Sequence, residues 1–201
     1  MEKLKTSPAE ILKTVEIPTI EQEQLNRVFD FLCAQDKTKT DNHDKIGAMD
    51  IARTLQFLGC RPTKSDVELI IWEVDDDLDG FVNRSEFETM YKRCITDFSD
   101  LEPRQLYNLV TFLMYDTEFR GRVTVEETLQ ILFVRHGRKN LDEEIRAIFG
   151  EEERKQDSSE EQSITYSEYV NKITRRALDK HSAYIGNKRK GKTGADESDL
   201  R

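Results

Sequence analysis

Apolar residues return along this chain at helical spacing, in short stretches separated by polar ones. Leu25, Val28, Phe29 and Leu32 recur at i, i+3, i+4 and i+7, the stripe of one buried helical face. Thr19 followed by Gln22 has capping-box spacing and predicts where that helix starts. Ile51, Leu55 and Leu58 form the next stripe, which stops at Gly59. Thr63 with Asp66 caps a third helix, whose inner face is Val67, Ile70, Ile71 and Val74, while Phe87, Met90 and Tyr91 mark a fourth. Glu102-Pro103 breaks the chain, because the residue before proline avoids helical angles, and a helix over 103–115 follows. Three more stripes complete the pattern: Leu129, Leu132 and Phe133; Leu141, Ile145, Ile148 and Phe149; Tyr169, Val170 and Ile173.

Eight helical segments thus pair around four short polar stretches, an internal repeat. The predicted fold class is all-α: two lobes over 19–96 and 101–178, each a pair of helix–loop–helix units whose loops pair as short β strands. Residues 1–18 read as a charge-balanced N-terminal extension. Residues 185–201 are nearly devoid of apolar side chains and read as a flexible charged tail.

The second polar stretch carries the chemistry. It runs Asp75-Asp76-Asp77-Leu78-Asp79-Gly80-Phe81-Val82-Asn83-Arg84-Ser85-Glu86 and matches the twelve-residue calcium loop of an EF-hand. Asp75, Asp77 and Asp79 stand at positions 1, 3 and 5, where short carboxylates converge on a hard cation. Gly80 at position 6 permits the sharp bend, Phe81 offers its main-chain carbonyl, and Glu86 at position 12 closes the shell with two oxygens. Four aspartates, one glutamate and one arginine give this loop a charge of −4. One divalent ion is expected there, calcium first and magnesium as the alternative.

Position 8 aligns the other loops. Ile46, Val82, Val123 and Ile164 recur at intervals of 36, 41 and 41 residues and should form the loop-pairing strands. Counted back from Ile46, the first loop (within 36–50) begins at Lys39 and has His43 and Asp44 at positions 5 and 6; beginning at Asp36 instead requires an insertion. Either way its ligand set is broken. The third, 116–127, keeps Gly121 and both end carboxylates but places Arg120 at position 5, a positive charge beside the cation site. The fourth, 157–168, lacks the glycine. One loop in four is competent.

With these residues the chain resembles the calmodulin, troponin C and centrin superfamily over roughly 19–178. Leu58-Gly59 followed by Pro62-Thr63, and Glu73-Val74-Asp75 ahead of the loop, resemble the corresponding calmodulin junctions. One intact loop combined with the 101–150 region is similar to axonemal EF-hand proteins such as the calcium-binding subunit of the outer dynein arm docking complex. The resemblance implies a non-enzymatic, calcium-binding interaction subunit that holds helical or coiled-coil segments of a larger cytoskeletal assembly, in the ciliary axoneme or a similar structure. The alternative is a soluble cytosolic sensor whose N-lobe opens on calcium binding.

Charge and composition narrow the classes further. A net charge of −9 excludes a general nucleic-acid binder, and no apolar run of membrane-spanning length occurs. Neither a nucleophile elbow nor a phosphate loop is present, so no enzymatic activity is expected. Cys33, Cys60 and Cys94 form no CxxC pair, which fits a reducing, cytoplasmic setting; buried thiols and redox sensors both remain open for them. Trp72 and Leu69 lie to the side of their helix's apolar face, facing a partner or another part of the chain. Helix 103–115 is apolar on more than one side, so Leu106 and Val110 face either the other lobe or a docked partner helix. Met49, Met90 and Met114 are too few for a promiscuous, methionine-rich groove, which favours one dedicated partner.

Overall fold

A computed structural model describes residues 12, 14–97, 102–150 and 162–192, with side chains through 179. Its elements are α1 (Thr19–Cys33), α2 (Ala48–Phe57), α3 (Lys64–Trp72), α4 (Arg84–Thr96), α5 (Gln105–Tyr115), β1 (Arg122–Thr124), α6 (Val125–Phe149), β2 (Ser163–Thr165) and α7 (Tyr166–Lys192). Gly137, at φ 68°, interrupts α6, so the two stripes read on either side of it are two helical segments. The helices pair around loops as their spacing predicts, and the fold is all-α with EF-hand units. Ile46 and Val82 bridge antiparallel, with reciprocal N–H···O bonds of 2.9 and 2.8 Å. In the second half Val123 pairs with Ile164 in the same way.

Local chemistry starts each helix that leaves a loop. Asn83 at position 9 of the second loop accepts from the amides of Ser85 (2.9 Å) and Glu86 (3.1 Å), while Glu86 accepts from the Asn83 amide at 2.9 Å. Thr124 with Glu127 and Thr165 with Glu168 repeat that reciprocal cap. Thr63 and Asp66 form the expected box at α3. The box expected from Thr19 and Gln22 does not form. Pro18 is the N-cap, its carbonyl receiving the Gln22 amide at 2.9 Å, and Thr19 already has helical geometry, which withdraws its hydroxyl from the capping position.

One hydrophobic core runs through both halves, from Leu25, Phe29 and Ile51 to Phe112, Ile131 and Tyr169. α1 joins the halves. Phe31 stacks on Phe119 with centroids 3.7 Å apart. The Arg27 guanidinium donates to the carbonyls of Leu113 (2.8 Å) and Thr117 (3.0 Å) at the end of α5, a cation placed where the helix dipole is negative. Deeper, Glu21 accepts from the Tyr91 hydroxyl at 2.5 Å and from Arg135 at 3.2 Å, and Arg135 also donates to the hydroxyls of Tyr91 and Tyr107.

The structure decides one expectation left open and corrects two. Leu106 and Val110 are buried within the chain, so packing between the halves, and not a docked helix, covers the apolar circumference of α5. On α6 the inner face is Thr128, Ile131 and Leu132, continued by Arg135, which leaves Leu129 and Phe133 outward. The Thr124–Glu127 cap starts that helix, and the half-buried guanidinium is accommodated because Glu21 meets it. At the C-terminus α7 continues through Lys192, into the segment read as a flexible tail, because once a helix is nucleated each added residue gains a bond and Lys and Arg are good helix formers. The expectation for 1–18 falls mostly outside the described residues, as does that for 193–201.

Candidate metal site in the second loop

The second loop is folded around its carboxylates by backbone amides. Asp75, buried at position 1, accepts from the amides of Asp79 (3.1 Å) and Gly80 (2.8 Å). Asp77 accepts from the Asp79 amide at 3.1 Å. Glu86 reaches back from α4 to the amides of Asp76 (3.0 Å) and Asp77 (3.3 Å). Leu78 at φ 59° and Gly80 at φ 84° make the bend. The outcome is a cluster: Asp75, Asp77 and Glu86 each present an oxygen within 4.8 Å of the others, the one such group among the described residues. An all-oxygen donor set with a negatively charged loop suits a hard divalent cation.

Two of the five expected ligand residues are not in that cluster. Asp79 is turned aside: one oxygen accepts from the Phe81 amide at 2.9 Å, and the other is bonded by the ammonium of Lys45, which belongs to the first loop. That bond holds the Asp79 carboxyl below its ordinary range and raises the Lys45 ammonium. Phe81 lies between the glycine bend and the Val82 bridge, with its ring over Gly47 of the neighbouring loop.

The first loop shows why its ligand set is broken. Asn42 at φ 56°, Leu78 at φ 59° and Phe119 at φ 53° all fall at position 4 when the loops start at Lys39, Asp75 and Asp116. The ungapped alignment is therefore correct, and Lys39 occupies position 1. Its ammonium bonds the position-12 carboxylate of Asp50 at 2.6 Å, the position-7 carbonyl of Lys45 at 2.7 Å and the Cys33 carbonyl at 3.2 Å. Both side chains are almost wholly enclosed, at 8% exposure for Lys39 and 0% for Asp50. A tethered ammonium thus sits against the groups that would ligate an ion.

The third loop does the same from a different position. Asp116 accepts from the amides of Arg120 (2.8 Å) and Gly121 (2.6 Å), the same two contacts Asp75 makes. Arg120 bonds the position-12 carboxylate of Glu127. Of the fourth loop, 157–161 lie outside the described residues. Glu168 accepts from the Thr165 amide at 2.8 Å.

Sequence reasoning found the second loop and the obstructing Arg120. It did not find Lys39 in place of an ion or Lys45 on Asp79. A lysine at position 1 was the available signal for Lys39, whereas Lys45 carries no sequence mark. Burial pushes the Cys33 thiol up to about 11 and that of Cys94 up to about 12, and raises that of Cys60, which runs against thiolate chemistry.

Paired helix–loop–helix units, strand-bridged loops and one twelve-residue acidic loop together define an EF-hand architecture. No family model matches the chain. Over 110 residues it is 27% identical to "Probable calcium-binding protein CML27" of Arabidopsis thaliana, across 55% of this chain and 56% of that protein. The chain spans about half the length of this curated relative. Among the described residues no helix is long and apolar enough to cross a membrane.

Proposed function

We propose that this chain is a calmodulin-like calcium-binding protein that takes up one calcium ion in its second loop. In this reading it acts as a non-enzymatic interaction subunit, holding helical segments of a larger cytoskeletal assembly. One observation carries the calcium assignment: Asp75, Asp77 and Glu86 converge, and among the described residues no cation bonds Glu86 as Lys39 and Arg120 bond the position-12 acids of the first and third loops. The name of the curated relative points the same way. Asp75, Asp77 and Glu86 would hold the ion, with Asp79 and the Phe81 carbonyl completing the shell. Calcium would supply a dication that offsets much of the loop's charge.

The subunit role draws support from the other loops. Lys39 and Arg120 bond the position-12 acids of two loops through internal ion pairs, so those two acids have a cation without metal. One competent loop in four does not supply the cooperative two-lobe opening of a sensor. Trp72, 68% exposed, and Leu69, 45% exposed, offer an anchor of the type found at interface centres. The axonemal setting rests on the resemblance in sequence alone.

Isothermal titration of the full chain with calcium tests the site. One binding event is expected, in the micromolar range of regulatory loops, and Asp75→Ala should abolish it; heat that survives the substitution would place the ion elsewhere. Co-purification in chelator tests the role. A stable helical partner should be retained without calcium, and capture only in its presence would favour the sensor.

A further inference from the structure

We propose that Lys45 sets the calcium affinity of the second loop by serving as the counter-cation of Asp79 when that loop is empty. The inference rests on the calcium reading above and concerns a residue of the neighbouring loop. Asp79, at position 5, is the aspartate the motif requires and the cluster lacks. Its free oxygen is taken by the Lys45 ammonium. The same ammonium lies within electrostatic reach of Asp77 and Glu86.

Lys45 is not a wandering surface side chain. Its carbonyl receives the buried Lys39 ammonium at 2.7 Å, and the next residue, Ile46, is bridged to Val82 of the second loop. The backbone of one loop therefore aims a positive charge at the other. Because neighbours along an extended segment point to opposite sides, Ile46 enters the core while Lys45 faces the carboxylates.

Turning Asp79 into the shell competes with its bond to Lys45, and an incoming dication meets a like charge at the mouth of the site. Lys45 consequently lowers affinity while stabilising the empty loop, and the first loop tunes the second without binding an ion itself. Ion pairs of partly exposed groups shift equilibria by up to about fivefold. Relief of the repulsion adds to this, so removing the charge should tighten binding by about three- to tenfold.

The test compares calcium titrations of the full wild-type chain, Lys45→Gln and Lys45→Arg. Lys45→Gln should bind about three- to tenfold more tightly, with Lys45→Arg within about twofold of wild type. A second readout follows the lysine itself. In the chain reductively methylated with carbon-13, the resonance missing from Lys45→Arg should move when calcium chloride is added, as the ammonium leaves Asp79. Equal or weaker binding by Lys45→Gln, or an unmoved resonance at calcium saturation, overturns the proposal and leaves the calcium site standing. Absence of calcium binding in all three chains defeats the calcium reading itself, and this inference with it.

Discussion

Replacing Lys39 by Met removes the ammonium from the first loop and leaves Asp50 enclosed without its cation. Deleting one member of a buried ion pair costs about 3–5 kcal/mol, because the remaining charge is stranded. Asp50 would keep two partners, the amides of Asp36 at 2.7 Å and Gly47 at 2.8 Å, which offset part of that loss. The expected destabilisation is about 3 kcal/mol. At about 2–4 °C per kcal/mol for a chain of this size, the melting temperature should fall by about 6–12 °C. Differential scanning calorimetry in chelator isolates the effect from any ion in the second loop. Lys39→Met with Asp50→Asn, which removes both charges but keeps an oxygen for the cap, should recover most of the loss. Lys39→Asp should be less stable than Lys39→Met in chelator and should regain stability with millimolar calcium, since it restores an acidic position 1 beside Asp41 and Asp50. A Lys39→Met chain that melts within about 1 °C of wild type in chelator would refute the view that the ammonium stands where an ion would.

Arg135→Met should destabilise the chain by about 3–5 kcal/mol, since it strands Glu21, which is only 2% exposed. Adding Glu21→Gln should restore part of this in thermal melts, and full independence of the two changes would contradict the shared network. His136 is held below its ordinary pKa of 6.5 because burial disfavours the imidazolium. As pH falls below 6.5 the unfolded chain therefore takes up this proton before the folded one, and stability declines until the folded pKa is reached. Melting temperatures recorded from pH 7.5 to 5.5 should accordingly fall less steeply for His136→Gln than for wild type.

The fold was legible because its repeat is written in two independent codes. Stripes at helical spacing located the helices, and the apolar residue at position 8 aligned four loops of unequal quality, as the Ile46–Val82 and Val123–Ile164 pairs show. The choice between Asp36 and Lys39 as the start of the first loop was open in the sequence; the left-handed residue at position 4 decides it for Lys39. Less legible was anything set by contacts distant along the chain. Glu21 and Arg135 are 114 residues apart, so neither helix alone says that a charge belongs on its inner face. The misassigned outer residues Leu129 and Phe133 follow from the same omission, because apolar stripes were sought where a paired guanidinium completes the face. Asp79 reads as a ligand by position, and only the folded chain reveals Lys45 upon it.

In the four loops the acid at position 12 has a task that owes nothing to metal. Asp50, Glu86, Glu127 and Glu168 each accept from the amide of the residue three before it, and so begin the outgoing helix. Folding alone is sufficient reason for an acid there, so its presence in a loop does not mark an ion site. What separates the loops is the cation that meets the acid's remaining valence. Lys39 meets Asp50 from position 1 and Arg120 meets Glu127 from position 5, each supplying from the chain a charge that a competent loop takes from solution. Among the described residues Glu86 is hydrogen-bonded by backbone amides, and the ammonium of Lys45 bonds Asp79 instead of Glu86. A charge built into the chain costs no binding equilibrium and cannot be withdrawn. In the first and third loops it therefore exchanges exchangeability for permanence.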